Sequence, residues 1–204
     1  MIRMHIKSIM VGGGPIPSGI VLVPVRGDEA QETGEAAPEV FTGAAAAEEA
    51  LGASEEAGKR GSQAPLSELP IRIGTLDAVN IGTGIEGAGH KRPLSHDLMA
   101  TVITMLGGKL ERVGISRVEG NTFFATLDVT DATGAAHHID ARPSDAIALA
   151  VRTGVGIYAA EDVLTRAGTP DFDAIAADEQ EREAKEFHDF LESLNPEDFN
   201  EPSD

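Results

Sequence analysis

The sequence predicts an α/β (α+β) fold in which helices pack on a mixed, largely antiparallel sheet. Segments of alternating apolar and polar residues recur along the chain, and this period of two is typical of half-buried strands. Turns at Gly120-Asn121 and Thr133-Gly134 separate three such segments, residues 110–118, 122–129 and 135–141. Short turns of this kind join antiparallel neighbours, so the three segments form a meander. Apolar residues at helical spacing predict the helices.

The amino-terminal part predicts a strand pair. Residues 2–7 alternate as a strand, residues 12–19 form a glycine- and proline-rich turn, and residues 20–25 return as the second strand. The glycine triplet at residues 12–14 lacks the lysine and the following helix of a phosphate-binding loop. We therefore interpret it as a hairpin connection.

Two helices are expected before the meander. The first follows a short strand at residues 69–74, and Gly82 and Gly84 weaken it. The second begins with Ser95 as its N-cap and has Asp97 in its first turn. The apolar residues of the first helix are Leu76, Val79, Ile81 and Ile85, and those of the second are Leu98, Val102, Met105 and Leu106.

The net charge of −18 is unevenly distributed along the chain, and we use this distribution to predict the domain boundaries. Residues 28–69 carry ten acidic and two basic side chains, residues 171–204 carry thirteen acidic and two basic ones, and the remainder has a net charge of +1. Acidic runs of this kind are typical of solvated, flexible segments. We therefore predict a near-neutral domain over residues 1–27 and 69–168, a flexible insertion at 28–68 with room for one short helix, and an acidic tail at 169–204.

Composition excludes several classes of protein. The chain has no cysteine, which excludes a disulfide framework and a thiolate metal site. It has no apolar run of membrane-spanning length, so we expect a cytoplasmic protein without a membrane partner. In the tail, Phe187, Phe190, Leu191 and Leu194 recur at helical spacing before Pro196. They predict an amphipathic helix that docks on the body or on a second subunit.

Residues 140–146, Asp-Ala-Arg-Pro-Ser-Asp-Ala, mark a point where a strand gives way to a helix. Pro143 suits the first helical turn, and a helix N-terminus attracts anions. Two carboxylates, a guanidinium and a hydroxyl at this point therefore suit phosphate chemistry. The same residues also have a structural interpretation, in which Ser144 or Asp145 caps the helix and Arg142 pairs with an aspartate. Spacing alone leaves both interpretations open.

Three segments resemble the bifunctional nuclease domain family. They are residues 70–74 (Pro-Ile-Arg-Ile-Gly), residues 92–98 (Arg-Pro-Leu-Ser-His-Asp-Leu) and residues 140–150 (Asp-Ala-Arg-Pro-Ser-Asp-Ala-Ile-Ala-Leu-Ala). The resemblance covers residues 1–27 and 69–168. The chain departs from the family after Gly74, where Asp77-Ala78 stands in place of a Glu-Ala pair in an alanine-rich helix.

The resemblance implies a compact α/β domain that forms a wedge-shaped homodimer with a groove. It also implies an enzyme, a nuclease that hydrolyses the phosphodiester bonds of DNA and RNA with little sequence specificity. The residues that match the family motifs and are therefore candidates for the site are Arg92, His96, Asp97, Asp140, Arg142, Ser144 and Asp145.

Phosphodiester hydrolysis suggests a role for each carboxylate among these candidates. The candidate catalytic carboxylates are Asp140, Asp145 and Asp97. Asp140 and Asp145 are expected to hold Mg²⁺ or Mn²⁺, because hard cations prefer oxygen ligands. The alternative for Asp97 is that it only balances the positive end of its helix.

The remaining candidates are predicted to bind substrate or move a proton. Arg142 and Arg92 suit bidentate hydrogen bonding to phosphate, with Ser144 beside them. His96 is the candidate general acid or base, because histidine is the side-chain type most often suited to that role. The structural alternatives are that His96 satisfies a buried hydrogen bond and that Arg92 is a surface ion-pair partner.

A second class of function stays open beside the nuclease. The acidic segments and the tail helix would also suit a non-catalytic interaction or regulatory module that recruits a basic protein partner. The domain has few aromatic residues, Phe123, Phe124 and Tyr158, so a platform for stacking bases is not evident. The nuclease hypothesis predicts cleavage that depends on Asp140 and Asp145, whereas the module hypothesis predicts none.

Overall fold

The computed structural model describes residues 1–13, 16–25, 39–42, 67–87, 92–170 and 185. The chain divides into two compact units, Met1–Pro170 and Asp171–Asp204. In the second unit Lys185 is described, as an exposed helical residue, and the predicted amphipathic helix at 187–194 lies outside the described residues. No helix in the described ranges is long and apolar enough to cross a membrane.

The described residues of the first unit form nine strands. They are β1 (Ile2–Val11), β2 (Ser18–Pro24), β3 (Glu39–Thr42), β4 (Ser67–Ile73), β5 (Lys109–Glu119), β6 (Thr122–Thr130), β7 (Ala136–Ala141), β8 (Gly156–Ala159) and β9 (Thr169–Pro170). They make one sheet in the order β7-β6-β5-β8-β1-β2-β4-β9, and β3 pairs with β1 beside this path.

The strand pairings confirm the predicted mixed, largely antiparallel sheet. Among the described residues six pairings are antiparallel, and two, β1 with β3 and β5 with β8, are parallel. The meander of β5, β6 and β7 turns at Gly120 and Gly134, whose φ angles of 56° and 86° lie in the left-handed region that glycine tolerates. Where β7 pairs with β6, Ile139 lies opposite Leu127, and Asp140 lies opposite Thr126.

Strand β3 lies inside the acidic insertion, where the sequence predicts no strand. It runs parallel to the end of β1, with Ser8 opposite Glu39 and Val11 opposite Thr42. Four residues with a single apolar pair are too short a run for alternation to be recognised. The short helix allowed for in this insertion lies outside the described residues.

Four helices are described in this unit: α1 (Thr75–Ile85), α2 (Ser95–Met105), α3 (Pro143–Thr153) and α4 (Glu161–Ala167). Helix α3 packs on β5, β6 and β8, and α1 packs on α3, β1 and β2. Buried side chains such as Ile147 of α3 and Leu127 of β6 belong to one core cluster. In β6 the polar residues Thr126 and Asp128 alternate with the core residues, so the helices cover one face of this strand and its polar residues lie on the other.

Helix α2 occurs where the sequence predicts it, but it begins differently. Leu94, and not Ser95, is the N-cap residue, and its N–H donates to the Asp97 carboxylate at 2.8 Å. The predicted apolar face exists but is exposed, and His96 is the buried residue of the helix. Helical periodicity detects an apolar face without showing whether the same chain covers it. The exposed large apolar residues of this face are Leu98, Met99, Val102, Met105 and Leu106.

The two glycines of α1 differ in what a side chain would meet, and this difference is testable. A Cβ at Gly84 would lie 2.8 Å from Arg152 Nη1 and 3.1 Å from Val151 Cγ1, whereas a Cβ at Gly82 would meet nothing within 4 Å. We expect Gly82→Ala to raise the free energy of unfolding by up to about 1 kcal/mol, because alanine favours helix. Gly84→Ala is expected to lower it by about 1–2 kcal/mol through overpacking.

Urea unfolding of both alanine variants measures this difference. Each variant gains the same helix propensity, so each is the control for the other. Equal stabilisation by the two substitutions would contradict the close packing of α1 against α3 at Gly84.

Candidate active site

The candidate site begins at the junction between β7 and α3. Arg142 is the N-cap residue, with extended angles of φ −73° and ψ 148°, and Pro143 follows it as the first helical residue. The helix ends at Gly154, whose φ of 70° is left-handed. No side-chain hydrogen bond caps the helix, so the prediction that Ser144 or Asp145 is the cap was wrong.

Arg142 and Asp145 form a two-point ion pair across the first turn of α3. Arg142 Nε donates to Asp145 Oδ2 at 2.8 Å, and Arg142 Nη2 donates to Asp145 Oδ1 at 3.1 Å. This confirms the predicted pairing of Arg142 with an aspartate. The arginine side chain is 67% exposed, and the aspartate side chain is 27% exposed. The guanidinium is therefore held in a fixed orientation while it remains open to solvent.

His96 joins this pair from the first turn of α2. Its Nε2 lies 3.0 Å from Asp145 Oδ1, and its side chain is 8% exposed. Because the carboxylate can only accept, Nε2 carries the proton in the neutral ring. Nδ1 is then a buried acceptor, and it has no hydrogen-bond partner among the described residues. A buried polar atom without a partner is uncommon and often marks a functional site.

The electrostatics of the site follow from this arrangement. The hydrogen bond from Arg142 lowers the pKa of Asp145, partial burial opposes the change, and the hydrogen bond from His96 adds to the lowering. In return, the Asp145 carboxylate raises the pKa of Arg142. Both groups are therefore charged at neutral pH.

Asp77 belongs to the site, although the sequence motifs do not select it. It lies in the first turn of α1, and its Oδ2 is 3.7 Å from Arg142 Nη1. The sequence marks Asp77 only as a departure from the family pattern. Its position in the first turn of the helix that follows β4 is the one signal that could have suggested a role at an anion site.

Asp97 follows His96 directly in the first turn of α2, but its carboxylate has different partners. Asp97 Oδ1 accepts from Arg152 Nε at 2.5 Å, and Asp97 Oδ2 accepts from the Leu94 N–H. Arg152 is at the opposite end of α3 from Asp145. The structure thus places Asp97 in a second cluster, beside the one that contains His96.

Comparison with known proteins identifies the family of the chain. The model of the bifunctional nuclease domain matches residues 61–171, which include α1, α2, the meander and α3. The chain belongs to the bifunctional nuclease domain family. It is also similar to two proteins of Mycobacterium tuberculosis, "Uncharacterized protein MT1877" of strain CDC 1551 / Oshkosh and "Uncharacterized protein Rv1829" of strain ATCC 25618 / H37Rv.

The similarity to each relative extends through most of that protein. The identity is 40% over 136 residues, which is 64% of this chain and 80% of the relative. The names of these relatives state no activity. Both the position of the site and its chemistry therefore have to be argued from the residues.

The two carboxylates predicted to share a metal ion lie apart in this member of the bifunctional nuclease domain family. Asp140 pairs with Thr126, so it belongs to the face of β7 that turns away from α3. Both oxygens of Asp145 accept hydrogen bonds from Arg142 or His96. No group of three or more potential metal-binding side chains occurs in the described ranges. The residues present do not fit a metal ion held jointly by Asp140 and Asp145, and binding of Mg²⁺ or Mn²⁺ elsewhere stays a prediction.

The last two predicted residues differ in exposure. Ser144 is buried in the first turn of α3, between Arg142 and Asp145 in the chain. Arg92 is exposed, three residues before α2 begins. The structure therefore brings together Arg142, Asp145 and His96, adds Asp77, and leaves Asp140 outside.

Asp145→Asn tests the ion pair through the pH dependence of stability. We expect a loss of about 1 kcal/mol at neutral pH, because the amide cannot form the charged fork with Arg142. The pKa of Asp145 is lowered in the folded state, so the wild-type advantage is present above the pKa of unfolded aspartate, about 3.9. It is lost as the pH falls through the folded value.

Urea unfolding from neutral pH down to about pH 3 measures this advantage. Asp140→Asn is the control, since the Asp140 side chain makes no hydrogen bond or ion pair in the part of the chain that the structure describes. A constant difference between wild type and Asp145→Asn across this range would contradict the argument.

Proposed function

We propose that this chain is a nuclease that hydrolyses phosphodiester bonds of DNA and RNA with little sequence specificity. The observation that supports it most is the Arg142–Asp145–His96 cluster. It combines an exposed guanidinium with a buried imidazole, one nitrogen of which has no partner among the described residues. Family membership supports the same reaction class, because the family is named for nuclease activity.

Arg142 is suited to bind the substrate phosphate. Asp145 engages Nε and Nη2, and the Nη1 edge faces Asp77 at 3.7 Å, which is longer than a hydrogen bond. The N-terminus of α3 adds a favourable site for an anion next to the guanidinium. Arg92 supplies a second exposed cation near the start of α2.

Low sequence specificity is supported by the aromatic rings that the structure describes in the domain. Arg112 lies over the Tyr158 ring at 5.7 Å, and Arg117 lies over the Phe124 ring at 3.8 Å. Phe123 packs against the core. Among the side chains that the structure describes, these rings are therefore already engaged. Contacts to phosphate position a nucleic acid but carry no sequence information.

His96 supplies the proton chemistry in this proposal. Asp145 accepts from Nε2 and so fixes the tautomer in which Nδ1 can take a proton from an attacking water. Nδ1 is shielded from solvent, and this proposal requires the substrate and its attacking water to gain access to that nitrogen. In the same proposal Arg142 would stabilise charge on the phosphoryl oxygens.

His96→Gln tests the role of Nδ1. The glutamine amide can still donate to Asp145, but it has no basic nitrogen, so cleavage is expected to fall by about 10²- to 10⁴-fold. The assay uses end-labelled single- and double-stranded DNA and RNA, with EDTA and with titrated Mg²⁺ or Mn²⁺. His138→Gln is the matched control, because His138 is an exposed histidine paired with Asp128 on the polar face of the sheet.

Two results would count against this proposal. Undiminished cleavage by both His96→Gln and Asp145→Asn would show that the cluster is not the site. No cleavage by the wild type under any metal condition would favour the interaction module instead. Dependence on Mg²⁺ or Mn²⁺ would support the metal prediction, and activity in EDTA would refute it.

We also propose that the chain acts as a homodimer that pairs through the exposed face of α2. The residues of α2 after Asp97 are all uncharged, and five large apolar side chains on one side are exposed. A second copy can approach this neutral face without like-charge repulsion, although the whole chain carries a net charge of −18. A large exposed apolar patch on one helix is typical of an interface.

Met105→Glu tests the dimer. Met105 is 82% exposed, so the substitution leaves the fold of one chain intact but places a charge in the interface. Light scattering after size-exclusion chromatography is expected to give twice the 21.3 kDa chain mass for wild type and a single chain mass for the variant. Thr104→Glu, on the opposite side of α2, is the control and should stay dimeric. A monomeric wild type would refute the dimer.

A further inference from the structure

Arg152 is a buried charge that the proposed mechanism does not use. Its side chain is 7% exposed, in the last turn of α3. We propose that Arg152 is the positioning residue of the site, which holds the first turn of α2 so that His96 Nε2 meets Asp145. This inference rests on the proposed function, in which the His96–Asp145 contact matters for cleavage.

The Arg152 guanidinium joins three helices. Nε donates to Asp97 Oδ1 of α2 at 2.5 Å, and Nη2 donates to the Asn80 carbonyl oxygen of α1 at 3.0 Å. Nη1 donates to the Ala148 carbonyl oxygen of α3 itself at 3.0 Å. One side chain therefore fixes the relative positions of α1, α2 and α3.

The link from Arg152 to His96 passes through the first turn of α2. Asp97 uses one oxygen for Arg152 and the other for the Leu94 N–H at 2.8 Å. The first contact ties Asp97 to α3, and the second closes the turn from Leu94 to Asp97, so residues 94–97 are held on α3 through Asp97. His96 lies inside this turn, so its ring direction depends on the same contacts.

Stability alone is a weak explanation for this residue. A buried ion pair loses much of its Coulomb gain to desolvation, and a well-packed apolar side chain is often as stable. What an apolar side chain cannot supply is direction, because the guanidinium presents donors in a rigid plane. A lysine ammonium cannot span the three acceptors from one position. Gly84 of α1 leaves the space that this plane occupies, since a Cβ there would lie 2.8 Å from Nη1.

The test measures the tautomer of His96 directly. Long-range ¹⁵N–¹H NMR of the imidazoles identifies which ring nitrogen carries the proton, and the His96→Gln spectrum assigns the His96 signal. Wild type is expected to show the Nε2–H form alone. Arg152→Met and Arg152→Lys are expected to lose that single form and to show averaged nitrogen shifts. Arg166→Met, at an exposed ion pair with Asp162, is the control and should match wild type.

Cleavage assays on the same variants separate this inference from the proposed function. If wild type cleaves, kcat should fall by at least tenfold in Arg152→Met with little change in KM, because Arg152 does not face the phosphate. If Arg152→Met loses the single Nε2–H form and wild type shows no cleavage, the positioning role is upheld and the nuclease proposal is refuted. A retained Nε2–H form in Arg152→Met would overturn the positioning role whatever the activity.

A second variant covers the case in which Arg152→Met does not fold. Asp97→Asn keeps the shape of the side chain and its place in the turn, but it removes the charge that directs Arg152. The circular dichroism of this variant should match wild type, and its His96 signal should lose the single form. Retention of that form in a folded Asp97→Asn would equally overturn the proposal.

Discussion

Burial of α3 is the constraint on which the rest of the structure depends. Pro143, Ser144, Ala146, Ile147, Ala148, Leu149 and Ala150 are all buried, so the helix is enclosed over most of its length. A helix in this position cannot leave polar side chains without partners. Its less exposed charged side chains, Asp145 at one end and Arg152 at the other, therefore contact the neighbouring helices. The same contacts determine where α1 and α2 lie.

The first turns of three helices meet this requirement in the same way. Asp77, Asp97 and Asp145 each occupy the third position after the N-cap of their helix, where a carboxylate favours the positive end of the helix dipole. Each also contacts an arginine of α3 or of its N-cap. An aspartate that stabilises the start of its own helix thus also makes a tertiary contact.

Local features of the fold could be predicted from the sequence, whereas contacts between distant segments could not. The meander, α3 and its pairing of Arg142 with an aspartate depend on neighbours within a few residues. His96 and Asp145 are 49 residues apart, and Arg152 and Asn80 are 72 apart. No periodicity encodes such distances. The exposed face of α2 shows the same limit, because an apolar stripe has one pattern whether it faces a core or a second chain.

Strand alternation accounts for the position of Asp140. The rule that neighbouring strand residues point to opposite faces predicts that His138 and Asp140 share a face, and the register agrees: they lie opposite Asp128 and Thr126. The same rule turns Asp140 away from α3, because Leu127 between those partners is in the core. A motif that is continuous in sequence is therefore divided in space, and its two aspartates belong to different surfaces.

The charge balance of the site bears on how it would hold a nucleic acid. In the cluster the Arg142 guanidinium faces two carboxylates, Asp77 and Asp145, and the surrounding domain is close to neutral. Affinity for a polyanion grows with the number of phosphates that cations neutralise, and its salt dependence grows in the same proportion. Arg142 is the exposed cation of this cluster, so only a few phosphates would be contacted. Such a site is suited to brief contact with many sequences and poorly suited to stable retention of one.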